Sequence, residues 1–565
     1  MTGRLHKGWL CGLIWSIGVL WHPAAVLGDP PTLSRLFPAG GSTGLETVVT
    51  VTGKYDSKSV YVWSDRSELQ WRQGEKDNQF LVSIPEDSAP GVALVRLVDQ
   101  HGASQLHRFV VGSLPEANEV EPNDRLSQAN VCEELPIVLN GVLEKAGDVD
   151  QFRVSLRAEQ TLVAHVDAAN LLKSPVDISL QIVTPQGHVL AQNLDYAGQD
   201  PLLIWRSHRD QDVIVRVFGY PAVPTSAIGF SGSANHLYRL TLTTETFIIG
   251  SNPLAVSSRI DTPVTMVGWN LPAERLQTVT AESLASDPLP LVHVFHRSAF
   301  AGFVNLPIVS TDLVSQSGPQ REPTRVNPPV IVTGQLKEPG QRDQFILSGK
   351  KGESWALLTE SRSLGYPTDL VLEIEAIASG KRLVRQDDTQ QSPDPRVQWK
   401  VPEDGEYQIS LFDLHGFYGD DYLYRMTIQP TQPGYEVSVS SDSFRGSVGE
   451  ALELKININR LNGYKETLVA ELQEPLPGVQ LESQQSVSEG ETAKELKLTL
   501  IAQQPVNAPF RLIVRPQTKA SETEPVEQDD PADDLQQPAT AISQVVTASD
   551  PQTADLWLFF DESGQ

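Results

Sequence analysis

Four blocks of residues occur twice in this sequence, in the same order and at a nearly constant separation. The paired blocks are 141–152 with 334–345, 175–182 with 367–374, 200–205 with 394–399, and 236–242 with 422–428. Both members of the first pair contain two glycines and end in Asp-Gln-Phe. Four matches in order predict an internal duplication, and each copy, at about 100 residues, is long enough for one β-sandwich core.

Around these blocks the chain alternates short β-branched runs with turn residues. Thr47–Thr52 and Val92–Val98 are two such runs, and clusters of proline and glycine flank them at 37–41 and 88–91. The chain has 40 glycines and 40 prolines, and no stretch of helical length shows a 3.6-residue apolar period. The pattern predicts an all-β, multidomain array of antiparallel β-sandwiches and argues against parallel α/β folds.

The repeat also divides the 565 residues into modules, since a chain of this length exceeds one domain. The predicted modules are 29–115, 116–245, 246–325, 326–430 and 431–565, of which the second and fourth are the two copies. Within the last module, 517–540 contain seven acidic residues and one lysine, which predicts a disordered loop rather than an acidic binding tail. A final strand at 554–560 is expected to return to the fifth module.

The N-terminal residues 1–28 have the pattern of a secretory signal peptide. Arg4 and Lys7 precede a short apolar run at 10–21, and Val26 and Gly28 fit the small-residue positions that precede a cleavage site after Gly28. A retained N-terminal anchor is the alternative. We therefore expect an exported protein, periplasmic, cell-surface or secreted, with no membrane span in the mature chain. Cleavage would leave Cys132 as the only cysteine, and we expect it to be a buried small hydrophobe.

Composition and motifs exclude several classes of function. The net charge of −27 is unfavourable for partners such as nucleic acid and anionic membrane surfaces. The sequence has no His-Glu-x-x-His motif, no P-loop and no dinucleotide-binding glycine motif, and Gly229–Ser233 lacks the final glycine of a nucleophile elbow. We therefore expect a protein that is not an enzyme.

The duplicated unit resembles the bacterial pre-peptidase C-terminal domain family. The resemblance is carried by the acidic motif at 119–124, the block 147–152 and the strand at 238–242, and it covers 117–245 and 326–430. Residues 29–112 resemble an immunoglobulin-like IPT/TIG module. These resemblances imply jelly-roll-like and immunoglobulin-like β-sandwiches, secretion, and an accessory or binding role.

A calcium site is the best candidate for chemistry in this chain. Glu119, Glu121, Asn123 and Asp124 supply four oxygen ligands within six residues, and in an extended segment alternate side chains share one face. The family resemblance implies these four residues as calcium ligands. We add Asp148 and Asp150, which follow a turn at Gly147 and share a strand face. The predicted metal site therefore consists of six residues: Glu119, Glu121, Asn123, Asp124, Asp148 and Asp150.

The alternative is a solvated linker in which Asp148 and Asp150 accept hydrogen bonds from turn amides. The second copy restricts the choice, because it retains Asp343 but has Gln341 at the position of Asp148, and no acidic motif precedes it. We therefore expect Asp150 and Asp343 to share a structural turn role. Any metal site is expected in the first copy alone.

Aromatic residues offer a second kind of binding surface. Trp63 with Trp71, or Trp205 with Trp399, could form a platform for sugars or peptides. Trp205 and Trp399 occupy the same place in the two copies, which favours core packing.

The sequence thus favours an exported, non-catalytic binding or adhesion protein that contacts matrix, polysaccharide or another exported protein. An accessory or scaffold subunit of a separate secreted hydrolase is the alternative, and a cryptic hydrolase is a remote one.

Overall fold

The computed structural model describes residues 28–196, 198–221, 229–285, 291–294, 300–302, 304–316, 318–389, 392–517, 543–547 and 553–561. These residues form 46 strands, one five-residue α-helix, and two 3-10 helices at Leu126–Gln128 and Arg362–Leu364. The all-β array predicted from the sequence is confirmed. The signal-peptide prediction, apart from Gly28, and the acidic-loop prediction, apart from Gln517, lie outside the described residues. None of the described helices has the length and apolarity needed to cross a bilayer.

The first sandwich (residues 32–112) packs a four-stranded sheet, β1-β3-β6-β5, against a second sheet, β2-β9-β7-β4, with β8 paired to β7. Its core takes side chains from both sheets, such as Val49 and Phe109. The strands are β1 (Thr32–Phe37), β2 (Gly40–Ser42), β3 (Glu46–Lys54), β4 (Tyr61–Ser64), β5 (Gln70–Gln73), β6 (Gln79–Ser83), β7 (Gly91–Asp99), β8 (Gly102–Ala103) and β9 (His107–Gly112).

Repeat 1 (residues 116–243) consists of two five-stranded sheets, β10-β12-β19-β14-β17 and β11-β13-β18-β15-β16. Its core lies between them and includes Leu139, Phe152 and Leu240. The strands are β10 (Glu116–Asn118), β11 (Asn130–Cys132), β12 (Ile137–Val142), β13 (Asp150–Leu156), β14 (Thr161–Asp167), β15 (Val176–Val183), β16 (Val189–Asn193), β17 (Leu202–Arg206), β18 (Gln211–Pro221) and β19 (Leu237–Thr243).

The linking sandwich (residues 247–309) is smaller, with described sheets β20-β22-β23 and β21-β25-β24. Val264 and Leu306 lie in its core. Its elements are β20 (Phe247–Asn252), β21 (Val256–Ser257), β22 (Thr262–Trp269), β23 (Leu276–Val279), α1 (Ala281–Ala285), β24 (Leu291–Val294) and β25 (Val304–Val309).

Repeat 2 (residues 312–430) has the strand order of repeat 1, in sheets β26-β28-β35-β30-β33 and β27-β29-β34-β31-β32. Every strand of one copy has its counterpart in the other, so the duplication read from the sequence is confirmed. The strands are β26 (Asp312–Gln316), β27 (Thr324–Arg325), β28 (Val330–Gln335), β29 (Arg342–Gly349), β30 (Ser354–Glu360), β31 (Leu370–Ala376), β32 (Lys381–Gln386), β33 (Arg396–Lys400), β34 (Gly405–Asp413) and β35 (Leu423–Pro430).

The C-terminal sandwich (residues 434–561) contains the sheets β40-β41-β38-β36-β45, β37-β46-β42 and β39-β43-β44. Its last strand, β46, pairs with β37 and β42. This pairing confirms the prediction that 554–560 forms a strand of the fifth module. The strands are β36 (Gly434–Val439), β37 (Ser443–Ser447), β38 (Ala451–Leu461), β39 (Leu468–Leu472), β40 (Val479–Ser483), β41 (Glu495–Ala502), β42 (Val506–Phe510), β43 (Leu512–Pro516), β44 (Ser543–Gln544), β45 (Val546–Thr547) and β46 (Leu556–Asp561).

Pairing is mostly antiparallel, as expected, but several short strands pair in parallel at sheet edges. In repeat 1, β10 runs parallel to β12 and β11 runs parallel to β13. Successive strands here enter different sheets, so the chain crosses the sandwich instead of turning back in a hairpin. This crossing places the segment between β10 and β11, which carries the acidic motif, across one end of repeat 1.

The first and C-terminal sandwiches contact each other through a buried arginine. The Arg96 side chain has no exposed surface, and its guanidinium donates to the carbonyl of Asp555 at 2.8 Å and lies 3.3 Å from the Asp442 carboxylate. It also lies over the Trp557 ring, whose centroid is 5.6 Å from that of Trp63. We refer to these residues as the terminal contact. It joins parts of the chain that are 459 residues apart.

Aromatic residues considered as a binding platform are instead packing partners. Trp399 is buried in the core of repeat 2, and Trp205 packs against the equivalent core of repeat 1. Trp71 lies edge-on to Phe109, with ring centroids 5.2 Å apart. Core packing, the interpretation favoured by the repeat, is confirmed for the pair at 205 and 399.

Candidate metal centre

The acidic segment 119–124 is fixed to repeat 1 at its first residue. The backbone N–H of Glu119 donates to the carbonyl of Asn140 at 2.9 Å, which extends the β10–β12 pairing by one residue. Its carboxylate accepts the backbone N–H of Val142 at 2.6 Å. Val120 is 67% exposed, whereas Asn123 is fully buried, so the end of the segment turns toward the sandwich.

Three carboxylates meet at this end of the sandwich. Glu119, Glu121 and Asp150 each place an oxygen within 4.8 Å of the others. Asp150 begins β13 and has no exposed surface, while Glu119 is half-buried and Glu121 exposed. Among the described residues, we find no lysine, arginine or histidine in an ion pair with any of the three. None of the three is therefore held in an ion pair by these residues, although Lys145, whose pKa is raised chiefly by Asp124, is close enough for the charge of Glu121 to add to that shift.

The other three predicted residues lie beside this group. The amide of Asn123 donates from Nδ2 to Glu119 Oε2 at 3.4 Å. Asp124 and Asp148 share Lys145, whose Nζ lies 3.2 Å from Asp124 Oδ2 and 3.7 Å from Asp148 Oδ1. The structure thus brings all six predicted residues together, with the exposed Lys145 at the outer edge.

Buried oxygens without a hydrogen-bond donor distinguish this cluster. Asn123 Oδ1, Asp124 Oδ1, Asp148 Oδ1 and Asp150 Oδ1 are all shielded from solvent and accept no hydrogen bond. A buried acceptor that lacks a donor costs about 1–3 kcal/mol, and more when it is charged. Four such oxygens in one place, with no thiolate or imidazole among them, match the ligand preference of a hard cation.

Burial and mutual repulsion favour the protonated forms of these carboxylates. Burial, with a contribution from Glu121, raises the pKa of Glu119 from 4.5 to about 7. Burial and the adjacent Glu119 charge raise the pKa of Asp150 further still. Burial and the neighbouring Asp124 raise the pKa of Asp148 from 3.8 to about 6. Protons therefore neutralise part of the cluster near neutral pH, and a bound cation would displace them.

A buried tyrosine, which the sequence analysis did not assign to the site, connects two of the carboxylates. The Tyr238 hydroxyl lies 2.6 Å from Asp150 Oδ2 and 3.1 Å from Glu119 Oε2. A hydroxyl has one proton, so it can donate to one of them at a time. Its ring lies against Gly141, where a Cβ atom would be 2.1 Å from the ring. The duplication contained a signal for this tyrosine, because Gly141 and Tyr238 have the counterparts Gly334 and Tyr424 in the second copy.

Repeat 2 has the same tyrosine–aspartate pair, but there both carboxylate oxygens of the aspartate accept hydrogen bonds. Tyr424 donates to Asp343 Oδ2 at 2.5 Å, and Gln341 donates from Nε2 to Asp343 Oδ1 at 2.8 Å. Gln341 occupies the position of Asp148, so an amide donor in repeat 2 replaces a carboxylate in repeat 1. Both oxygens of Asp343 have partners, whereas Asp150 Oδ1 has none.

The expected turn role of Asp150 and Asp343 is therefore wrong in its detail. Each carboxylate accepts a tyrosine hydroxyl from the facing sheet, because both side chains point into the sandwich. Asp148 does accept a turn amide, from Glu144, at 2.5 Å. That bond uses Oδ2 and leaves Oδ1 toward Lys145.

Cys132, the one cysteine of the described residues, lies apart from this cluster. Its side chain packs in the core of repeat 1, and burial raises the pKa of its thiol to about 11. The thiol is therefore protonated and unreactive at neutral pH, in agreement with the expected structural role.

Comparisons with known proteins do not assign this chain to a family. No protein-family model and no curated protein matches the sequence. Among solved structures, the chain is similar to SGBP-B of the Bacteroides ovatus mixed-linkage glucan utilization locus, in complex with a mixed-linkage heptasaccharide. That similarity has 9% identity over 71% of this chain and 75% of the other, with a TM-score of 0.14. A score this low gives no basis for transferring a ligand, so the proposals below rest on the residues of this chain.

Proposed function

We propose that this protein is an exported, non-catalytic binding protein whose first repeat holds a calcium ion in the acidic cluster. Four buried oxygens that accept no hydrogen bond, beside three carboxylates within 4.8 Å of one another, carry the proposal. Calcium takes six to eight oxygen ligands in flexible geometry, and carboxylates with an amide carbonyl suit it. Zinc prefers nitrogen and sulfur ligands, which this cluster lacks.

The role of the ion is structural, because the cluster joins a linker to a sandwich. The ligands on 119–124 follow directly after Glu116, which forms a bidentate ion pair with buried Arg239 of β19. An ion between this segment and Asp150 would fix the path of the chain as it leaves the first sandwich. The proposed partners of the stiffened array are matrix proteins, polysaccharides or other exported proteins, contacted through surface loops.

Thermal unfolding at increasing calcium concentration tests the site. A ligand that binds only the folded state at 100 times its Kd adds about 2.7 kcal/mol to the unfolding free energy. We expect millimolar calcium to raise the Tm of the wild-type protein. The double variant Glu121→Ala with Asp124→Ala should show no calcium-dependent shift. An unchanged Tm in the wild-type protein would disprove calcium binding.

The two repeats provide a matched pair of variants. Asp150→Asn removes a carboxylate ligand but keeps an oxygen that can accept the Tyr238 hydroxyl, so it should keep or raise the calcium-free Tm and remove the response to calcium. Asp343→Asn breaks a satisfied hydrogen-bond pair, so it should lower the calcium-free Tm and leave the calcium response intact. Equal calcium responses in the two variants would place the ion elsewhere.

Binding arrays of glycans and matrix proteins test the broader role. We expect the full chain to retain at least one ligand class more strongly with calcium than with EDTA. The Glu121→Ala and Asp124→Ala double variant should behave as the wild-type protein does in EDTA. Turnover of protein or glycan substrates by the purified chain would contradict a non-catalytic role.

A further inference from the structure

A cavity of about 250 Å³ lies where the first sandwich, repeat 1 and the linking sandwich meet. One wall is the outer face of β14 and β19 in repeat 1, which carries His165 and Asp167. The end of β9 with Leu114 forms a second wall, and the start of β20 with Phe247 forms a third. Such junctions between modules are common places for ligand pockets.

The polar groups of the cavity leave one carboxylate available. Asp200 accepts the backbone N–H groups of Ala168, Ala169 and Asn170, at 2.8–3.1 Å. Arg239, the guanidinium of this cavity, is held at 2.6 and 2.9 Å by Glu116, so its charge is neutralised. Asp167 has His165 Nδ1 at 3.8 Å, beyond hydrogen-bond distance. Its side chain is 28% exposed and faces the cavity.

The carboxylates that line the cavity favour a cationic ligand. Asp200 has a raised pKa, chiefly because of burial, and the charge of Asp167 adds to the shift. Two carboxylates that repel each other across one wall, with the neighbouring guanidinium neutralised, attract cations and repel anions. The net charge of −27 acts in the same direction.

The remaining walls are apolar and aromatic. Phe247 lies against His165 with ring centroids 5.4 Å apart, and Tyr196 and Ile249 line the same space. Aromatic faces attract organic cations within about 6 Å of the ring centroid. A bare metal ion does not suit the cavity, because one available carboxylate cannot supply the six or more oxygens that calcium requires.

We infer that this cavity binds a small organic cation, an amine with a compact apolar body, with Asp167 as the charged partner and Phe247 as the aromatic wall. The inference names a ligand class for the binding role proposed above and rests on that role. The site shares no residue with the calcium cluster. Calcium response and amine binding can therefore fail independently.

Isothermal titration of the full-length mature chain with choline tests this inference. The uncharged isostere 3,3-dimethyl-1-butanol has nearly the same shape, and acetate is the anionic control. We expect choline to bind at millimolar concentration or better, the isostere at least roughly tenfold more weakly, and acetate not at all. Equal binding of choline and its isostere, or no choline binding at 10 mM, would overturn the inference.

Variants locate the binding to this cavity. Asp167→Asn retains the shape of the side chain and should weaken choline binding roughly tenfold. Leu171→Trp fills the cavity without changing its charge and should abolish binding. Asp212→Asn removes an exposed charge elsewhere on repeat 1 and should leave binding unchanged. Wild-type affinity in both Asp167→Asn and Leu171→Trp would contradict the assignment. A calcium titration of the same samples separates this result from failure of the proposed function.

Discussion

The pH dependence of stability tests the acidic cluster without any assumption about a biological ligand. The pKa of Glu119 rises from 4.5 to about 7 on folding. At about 1.4 kcal/mol per pKa unit, this shift corresponds to about 3 kcal/mol. The folded state retains a proton that the unfolded chain releases, so the stabilisation is present below about pH 4.5 and lost as the pH rises through about 7. Glu119 alone should account for a loss of about 2–3 kcal/mol of unfolding free energy in the calcium-free protein between pH 5 and pH 8, and Asp148 and Asp150, whose pKa is raised as well, should add to it.

Urea unfolding in EDTA, repeated at pH steps from 5 to 8, measures this loss. Glu119→Gln replaces one titrating carboxyl by a neutral amide, so its calcium-free stability should fall less than that of the wild-type protein over the same range, while Asp148 and Asp150 still contribute. In saturating calcium, the wild-type slope should flatten or reverse, because the ion binds the deprotonated carboxylates. Calcium-free stability that stays constant or increases from pH 5 to 8 would refute the reasoning.

Two further predictions concern packing. Arg96→Met leaves the buried carbonyl of Asp555 without its donor, so we expect the terminal contact to weaken by about 3 kcal/mol and a calorimetric transition to move to lower temperature. The control variant Arg72→Met removes an exposed arginine and should change the temperature of that transition little. Gly141→Ala and Gly334→Ala should each lower the Tm, since a Cβ would lie 2.1 or 2.2 Å from a tyrosine ring, and an unchanged Tm in both would contradict that packing. Only Gly141→Ala should also weaken the calcium response.

The sequence predicted the acidic cluster because its members are local or repeated. Glu119 and Asn123 alternate along one short segment, which reveals their shared face. Asp150 could be aligned with Asp343, and Asp148 with Gln341, through the duplication. That alignment identified where the copies differ in charge, and the structure shows the same difference as a missing donor in repeat 1.

Contacts between distant segments could not be predicted in the same way. Tyr238 reaches Asp150 across the interior of a sandwich, and no local pattern marks a tyrosine that will face a carboxylate. No local pattern distinguishes Arg96 from other residues of its strand, because the residues it contacts in the C-terminal sandwich are hundreds of positions away in the sequence. The cavity beside Asp167 depends on how three modules pack, which strand periodicity does not determine.

The terminal contact has a consequence for the order in which the molecule assembles. Arg96 is synthesised long before Asp555 and Trp557. Its guanidinium therefore remains solvated until these two residues have been synthesised. The first sandwich can build its own core early, but that arginine is enclosed only when β46 has taken its place. The terminal contact would therefore form late in folding, and a chain truncated before Asp555 would leave the Arg96 guanidinium exposed.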